Sequence, residues 1–108
     1  MVEYISTDDL HDRIESGEKP QIIDIRSEDE YEEGHIPGAE NIPLDELPLK
    51  IGEHDWGDDV VVVCKIGESS VQGARLIKAY EGVSDDAEVA SMEGGMENWE
   101  YDTETDGE

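Results

Sequence analysis

Apolar positions fall along this chain in short clusters, some continuous and some at helical spacing. Tyr4-Ile5 predicts a short first strand, and Ser6-Thr7-Asp8-Asp9 after it offers a helix start. Leu10 and Ile14 then lie one helical turn apart, and Gly17 can stop that helix. Gln21–Ile25 is a compact apolar run that predicts a buried strand. Ser27 with Glu30 makes a capping box, so Glu28–Glu33 should be a short helix ended by Gly34. Ala39–Ile42 predicts another short strand, and Asp45–Ile51 a helix with Pro48 in its first turn. Val60–Val63 is a β-branched run without polar alternation, as a strand covered on both faces would be. Over Ser70–Tyr80, the residues Gly73, Leu76, Ile77 and Tyr80 recur at i, i+3, i+4, i+7, which predicts an amphipathic helix with that face inward. Glu88–Ala90 predicts a last strand.

Strands alternating with helices define the expected fold class: α/β, an open, mostly parallel sheet flanked by helices on both faces. Residues 1–99 are expected to form this one domain, and residues 100–108 an acidic, flexible tail.

Composition adds one unusual feature. Asp and Glu number 31 against 7 Lys and Arg, a formal net charge of -24, and the acidic residues are spread along all 108 positions. At low ionic strength such a chain repels itself, whereas at about 1 M salt the Debye length is near 3 Å and the repulsion is screened. The apolar runs argue for a folded core rather than disorder. The charge therefore reads as the surface of a halophile's protein. No basic stripe exists to meet phosphates, which argues against nucleic acid as a partner. No apolar run approaches the roughly 18 residues of a membrane span. The start, MVEYISTDDL, lacks the basic and apolar regions of a signal peptide, so a cytoplasmic location is expected.

A single cysteine excludes an intrachain disulfide and any paired-cysteine metal or redox motif. Cys64 stands where the Val60–Val63 strand ends, and ligands of open α/β sheets bind beyond the carboxyl ends of the strands. A thiol is nucleophilic as thiolate, so its anion needs stabilising. The helix expected after Ser69-Ser70 points its N-terminal N–H groups back at the loop. Between them Lys65, Ile66, Gly67, Glu68 and Ser69 could curl into a nest of backbone amides around the sulfur, with Gly67 supplying the unusual φ. Ser69 and Ser70 could cap the helix or donate hydroxyl hydrogen bonds. Buried cysteine is also common at strand ends, and from the residues alone both readings stand.

Three ordered segments go further. Ile23-Asp24-Ile25-Arg26, Glu30-Tyr31, Gly34-His35-Ile36-Pro37-Gly38-Ala39 and Asn41-Ile42-Pro43 together resemble the first signature of the single-domain rhodaneses. Cys64-Lys-Ile-Gly-Glu-Ser-Ser70 resembles their active-site loop, and Glu93-Gly94-Gly95-Met96-Glu97-Asn98-Trp99 their closing element. The resemblance implies sulfur transfer through a persulfide on Cys64, held by the loop Lys65–Ser70, with no metal or organic cofactor. It implies a small-molecule sulfur donor such as thiosulfate, a thiol or cyanide as acceptor, and room for a protein donor or acceptor. The alternative is a sulfur-relay or regulatory module fed by a partner protein.

The chain departs from the family pattern at Ser69, where many members have Arg, which removes a bidentate anion contact. Rhodanese-fold phosphatases place Arg six positions after the nucleophile; here that position is Ser70, which argues against phosphate chemistry. Asp24 and Arg26 are expected to be structural, with Arg26 pairing Glu30 or capping loop carbonyls, and only secondarily to support the site. His35 is expected to fix its turn rather than act as a base. Trp99 should cover the core.

Overall fold

The computed structural model describes residues 2–105. Five strands form one sheet in the order β1-β5-β4-β2-β3, and every pairing is parallel. They are β1 Glu3–Ile5, β2 Gln21–Asp24, β3 Glu40–Asn41, β4 Asp59–Val63 and β5 Glu88–Met92. The helices are α1 Thr7–Glu15, α2 Glu28–Glu33, α3 Leu47–Lys50 and α4 Ser69–Ala79, with 3-10 turns at Ile51–Glu53 and Met96–Asn98. Each expected element is present, although the third strand and the third helix are shorter than their apolar patterns. Among the described residues no helix is long and apolar enough to cross a membrane.

β4 explains the layering. Successive side chains of a strand point to opposite faces, and Val60–Val63 are all buried, so both faces must be covered. Val60, Val62 and Cys64 pack with Ile23, Ile25, Leu47, Ala74 and Ile77, beneath α3 and α4. Val61 and Val63 pack with Leu10, Ile22, Tyr31, Met92 and Trp99, beneath α1 and α2. Trp99 covers the core as its position suggested.

The helix starts follow local chemistry. Ser6 Oγ accepts from the Asp9 amide at the head of α1, and Ser27 Oγ accepts from the Glu30 amide at the head of α2. The Ser27 hydroxyl also lies 3.2 Å from Glu30 Oε1 and donates to it, a side-chain contact that replaces the backbone half of the expected capping box.

α4 departs from expectation in two ways. Its inward face is Ser70, Gly73, Ala74 and Ile77, while Leu76 is 40% exposed and Tyr80 ends the helix. That face is the same i, i+3, i+4, i+7 series rotated by three residues, because small residues let the helix lie close on the sheet. A Cβ on Gly73 would stand 3.1 Å from Val62 Cγ1, too close for a larger side chain. The second difference is the cap. Glu68 occupies the N-cap without a side-chain bond, so neither Ser69 nor Ser70 caps the helix.

The segment expected to be a free tail is partly anchored. Glu104 and His35 exchange backbone hydrogen bonds of 2.8 and 2.9 Å, and the Tyr101 ring stacks on His11. Residues 106–108 of that expected tail lie outside the described residues.

Candidate active site

Cys64 follows β4 directly, at the carboxyl edge of the sheet and 4% exposed. Strand alternation turns its side chain to the α4 side, where α4 begins five residues later. The connecting loop is therefore short, and it must reverse tightly. Gly67 takes φ +91°, a left-handed conformation that only glycine adopts without strain. This turn brings the Gly67 N–H to 3.0 Å from Cys64 Sγ. From the first turn of α4, Ser70 Oγ lies 3.3 Å from the same sulfur, and the Cys64 thiol donates to it. The Ser70 hydroxyl in turn meets Ser91 Oγ on β5 at 2.6 Å. Both serines are fully buried, so these hydroxyls bond to protein groups rather than to water.

A second loop braces the first. Gly94 and Gly95 follow β5, and Met96 and Glu97 donate backbone N–H groups to the carbonyls of Cys64 and Lys65 at 2.8 and 3.0 Å. The two backbones approach so closely that a Cβ on Gly95 would lie 2.4 Å from the Lys65 carbonyl carbon and oxygen. The closing glycine pair thus fixes where the cysteine loop can run.

Of the residues singled out in sequence, Cys64, Gly67 and Ser70 converge on the sulfur. Lys65, Ile66, Glu68 and Ser69 are exposed around it, and Lys65 is the loop's sole cation. Asp24 and Arg26 form a separate structural unit after β2. Buried Asp24 accepts from Arg26 Nε at 3.0 Å and Nη2 at 2.8 Å, and Arg26 Nη2 also donates to the Gly34 carbonyl at 2.7 Å. The pairing with Glu30 is not made, while the expected carbonyl contact is. Asn41 Nδ2 ties the same turn down, donating to the carbonyls of Asp24 and Arg26 at 2.9 and 3.0 Å. His35 is drawn to the opposite face of the sheet. It is buried, stacked on Tyr31, with Nδ1 at 2.8 Å from the Tyr31 carbonyl oxygen. It therefore stands apart from the sulfur.

Sequence reading missed Ser91 and the bracing amides of Met96 and Glu97. For Ser91 a signal existed: it lies two residues after Val89 on the α4-facing side of a buried strand, where a hydroxyl needs a buried partner. The brace had none, because backbone contacts between distant loops leave no residue pattern. A cavity of about 330 Å³ lined by Val2, Tyr4, Arg75, Lys78 and Ala79 opens beside β1 and α4, not over Cys64.

A buried sulfur at the C-terminal edge of a parallel sheet, facing a loop amide and a helix N-terminus, defines a class of thiol site. The chain belongs to the rhodanese family: the family model for the Rhodanese-like domain matches residues 6–102. It is similar to the thiosulfate sulfurtransferase GlpE of Shewanella oneidensis, 38% identical over 79 residues, which is 73% of this chain and 74% of that protein. It is also similar to YrkF of Bacillus subtilis, 33% identical over 100 residues and 93% of this chain, but spans only 52% of YrkF's length. Among solved structures, the rhodanese-like domain protein of Staphylococcus aureus superposes with a TM-score of 0.80 at 27% identity, covering 96% of this chain and 98% of that one.

Proposed function

We propose that the domain is a sulfurtransferase that carries sulfane sulfur as a persulfide on Cys64. The observation that carries this reading is the convergence of the Gly67 N–H and the Ser70 hydroxyl on one buried sulfur at the head of α4. The Gly67 N–H is an oriented donor, and the Ser70 hydroxyl, which accepts from the thiol, can turn to donate once the sulfur is charged, so negative charge on sulfur is stabilised without waiting for water to reorganise.

The Cys64 thiolate attacks the outer sulfur of thiosulfate. The new sulfur–sulfur bond forms as the old one breaks, and its electron pair leaves with sulfite. The persulfide then gives its outer sulfur to a thiolate or cyanide, and the pair of the breaking bond returns to Cys64 Sγ. This is covalent catalysis in two half-reactions. The similarity to GlpE supports thiosulfate as a donor. Two features favour a protein persulfide in its place: exposed Ser69 stands where a guanidinium would grip a dianion, and the surface carries a net charge of -24.

Intact mass after thiosulfate treatment in molar KCl tests the reading. The wild-type protein is expected to gain one sulfur that cyanide removes, and Cys64→Ser to gain none while staying folded. Sulfur transfer by purified Cys64→Ser would overturn the mechanism. No gain on folded, reduced wild type would exclude thiosulfate and leave the protein donor to be tested with a persulfidated cysteine desulfurase-type protein.

A further inference from the structure

Ser91 lies outside every motif read from the sequence, yet it completes an unbroken line of three atoms. Cys64 Sγ is 3.3 Å from Ser70 Oγ, and Ser70 Oγ is 2.6 Å from Ser91 Oγ. Ser91 is in register with Val62 on β4, so its side chain points to the same side of the sheet as the helix that carries Ser70.

A hydroxyl holds one proton and can accept at its lone pairs, so two in series can run in either direction. With Cys64 as a thiol, the S–H donates to Ser70 and Ser70 donates onward to Ser91. With a charged sulfur the order reverses: Ser91 donates to Ser70, and Ser70 donates to sulfur. A thiol is a weak donor and an anion a strong acceptor, so the reversed order is the stronger of the two. A hydroxyl that accepts one hydrogen bond is also a better donor of the next. Without Ser91, the Ser70 hydroxyl is free to turn to a backbone carbonyl instead, as helical serines do.

We propose that Ser91 is a positioning residue for sulfur transfer, turning the Ser70 hydroxyl onto Cys64 Sγ whenever that sulfur carries charge. The inference rests on the persulfide reading of Cys64 and extends it to a residue on another strand. Ser91 serves the discharge step. When an acceptor thiolate attacks the outer sulfur, the acceptor–sulfur bond forms, the Cys64 sulfur–sulfur bond breaks, and its electron pair arrives on Sγ. The reversed chain stabilises that leaving sulfur, so discharge of the persulfide depends on Ser91.

The test uses Ser91→Ala and Ser91→Thr in the full chain, in molar KCl. Thiolate absorbance in the ultraviolet and the rate of Cys64 alkylation by iodoacetamide at neutral pH read the sulfur's charge without any sulfur transfer. The charged groups near the loop, Lys65, Glu68, Glu93, Glu97 and the Asp24–Arg26 pair, are left in place by both variants. Ser91→Ala should lower the thiolate fraction roughly threefold to tenfold, the order expected when a hydrogen bond to a charged sulfur weakens. Persulfide discharge to cyanide should slow by a similar factor, and Ser91→Thr should restore both. An unchanged thiolate fraction and discharge rate in folded Ser91→Ala, with both reduced in Ser70→Ala, would overturn the proposal. If Ser91→Ala does not fold, the β-carbon NMR resonance of Ser91 in wild type is followed across the Cys64 titration. It should move with the sulfur, and a flat line beside a moving Ser70 would overturn the proposal equally. If the thiolate signals behave as expected but no donor loads sulfur, the sulfur-transfer reading falls and the control of the thiolate by Ser91 stands.

Discussion

Gly67→Ala separates the conformational demand of the cysteine loop from its chemistry. At φ +91° an alanine is held in the left-handed region, at a cost of about 1–2 kcal/mol. Its Cβ would also stand 2.7 Å from the Gly94 backbone nitrogen, which belongs to the bracing loop and cannot swing aside as a side-chain tip could. Overpacking of this kind costs about 1–3 kcal/mol. Together they lower stability by about 2–5 kcal/mol, and at about 4–8 °C per kcal/mol for a domain near this size the thermal midpoint falls by on the order of 10 °C or more. The loop can relieve the contact only by moving the Gly67 N–H that now lies 3.0 Å from Cys64 Sγ. A hydrogen bond to a charged group contributes about 1.5–3 kcal/mol, so its loss should slow persulfide formation by roughly tenfold to a hundredfold. The internal control is Gly17→Ala, at φ +84° with nothing within 4 Å of the added Cβ. It should show only the conformational cost, with wild-type sulfur loading. The assays are thermal unfolding by circular dichroism and the rate of mass gain from thiosulfate, both in molar KCl. A Gly67→Ala protein that loads sulfur at the wild-type rate would refute the role given to this amide.

Three further outcomes are expected. Arg26→Ala leaves Asp24, whose side chain is 1% exposed, without its guanidinium, and should cost about 3–5 kcal/mol in chemical denaturation; a loss below about 1 kcal/mol would mean the pair is not the anchor of the β2 turn. Ser69→Arg, at an exposed first-turn position, should lower the thiosulfate concentration for half-maximal rate, most clearly at low salt, and an unchanged or raised value would argue against a missing anion contact. Raising KCl from low to molar concentration should raise the thermal midpoint, because screening removes repulsion among the charges that give -24, and a flat or falling midpoint would count against a halophile's surface.

Local sequence is enough to set the order of elements, because each is written within a few residues. Val60–Val63 can be buried on both faces only between two layers of helices, and Ser27 with Glu30 starts α2 from within one turn of chain. It also placed Cys64 at a strand end with Gly67 and Ser70 behind it, since loop and helix start are contiguous. Packing of the sheet settled what depends on distance in the chain. It rotated α4 so that Ser70 and Ala74, rather than Leu76 and Tyr80, join Gly73 and Ile77 against the sheet, where Gly73 lies close on Val62 and Ile25. Arg26 found Asp24 rather than Glu30, because a buried carboxylate holds a guanidinium more firmly than an exposed one. His35 went to the face opposite the sulfur, where Tyr31 and Glu104 meet it. The partners of the cysteine loop, Ser91 and the Gly94–Gly95 turn, lie more than twenty residues downstream of Cys64 and reach it only because β5 pairs with β4. Local patterns select elements through the conformational preferences of neighbouring residues, but the surroundings of one sulfur are assembled by a sheet.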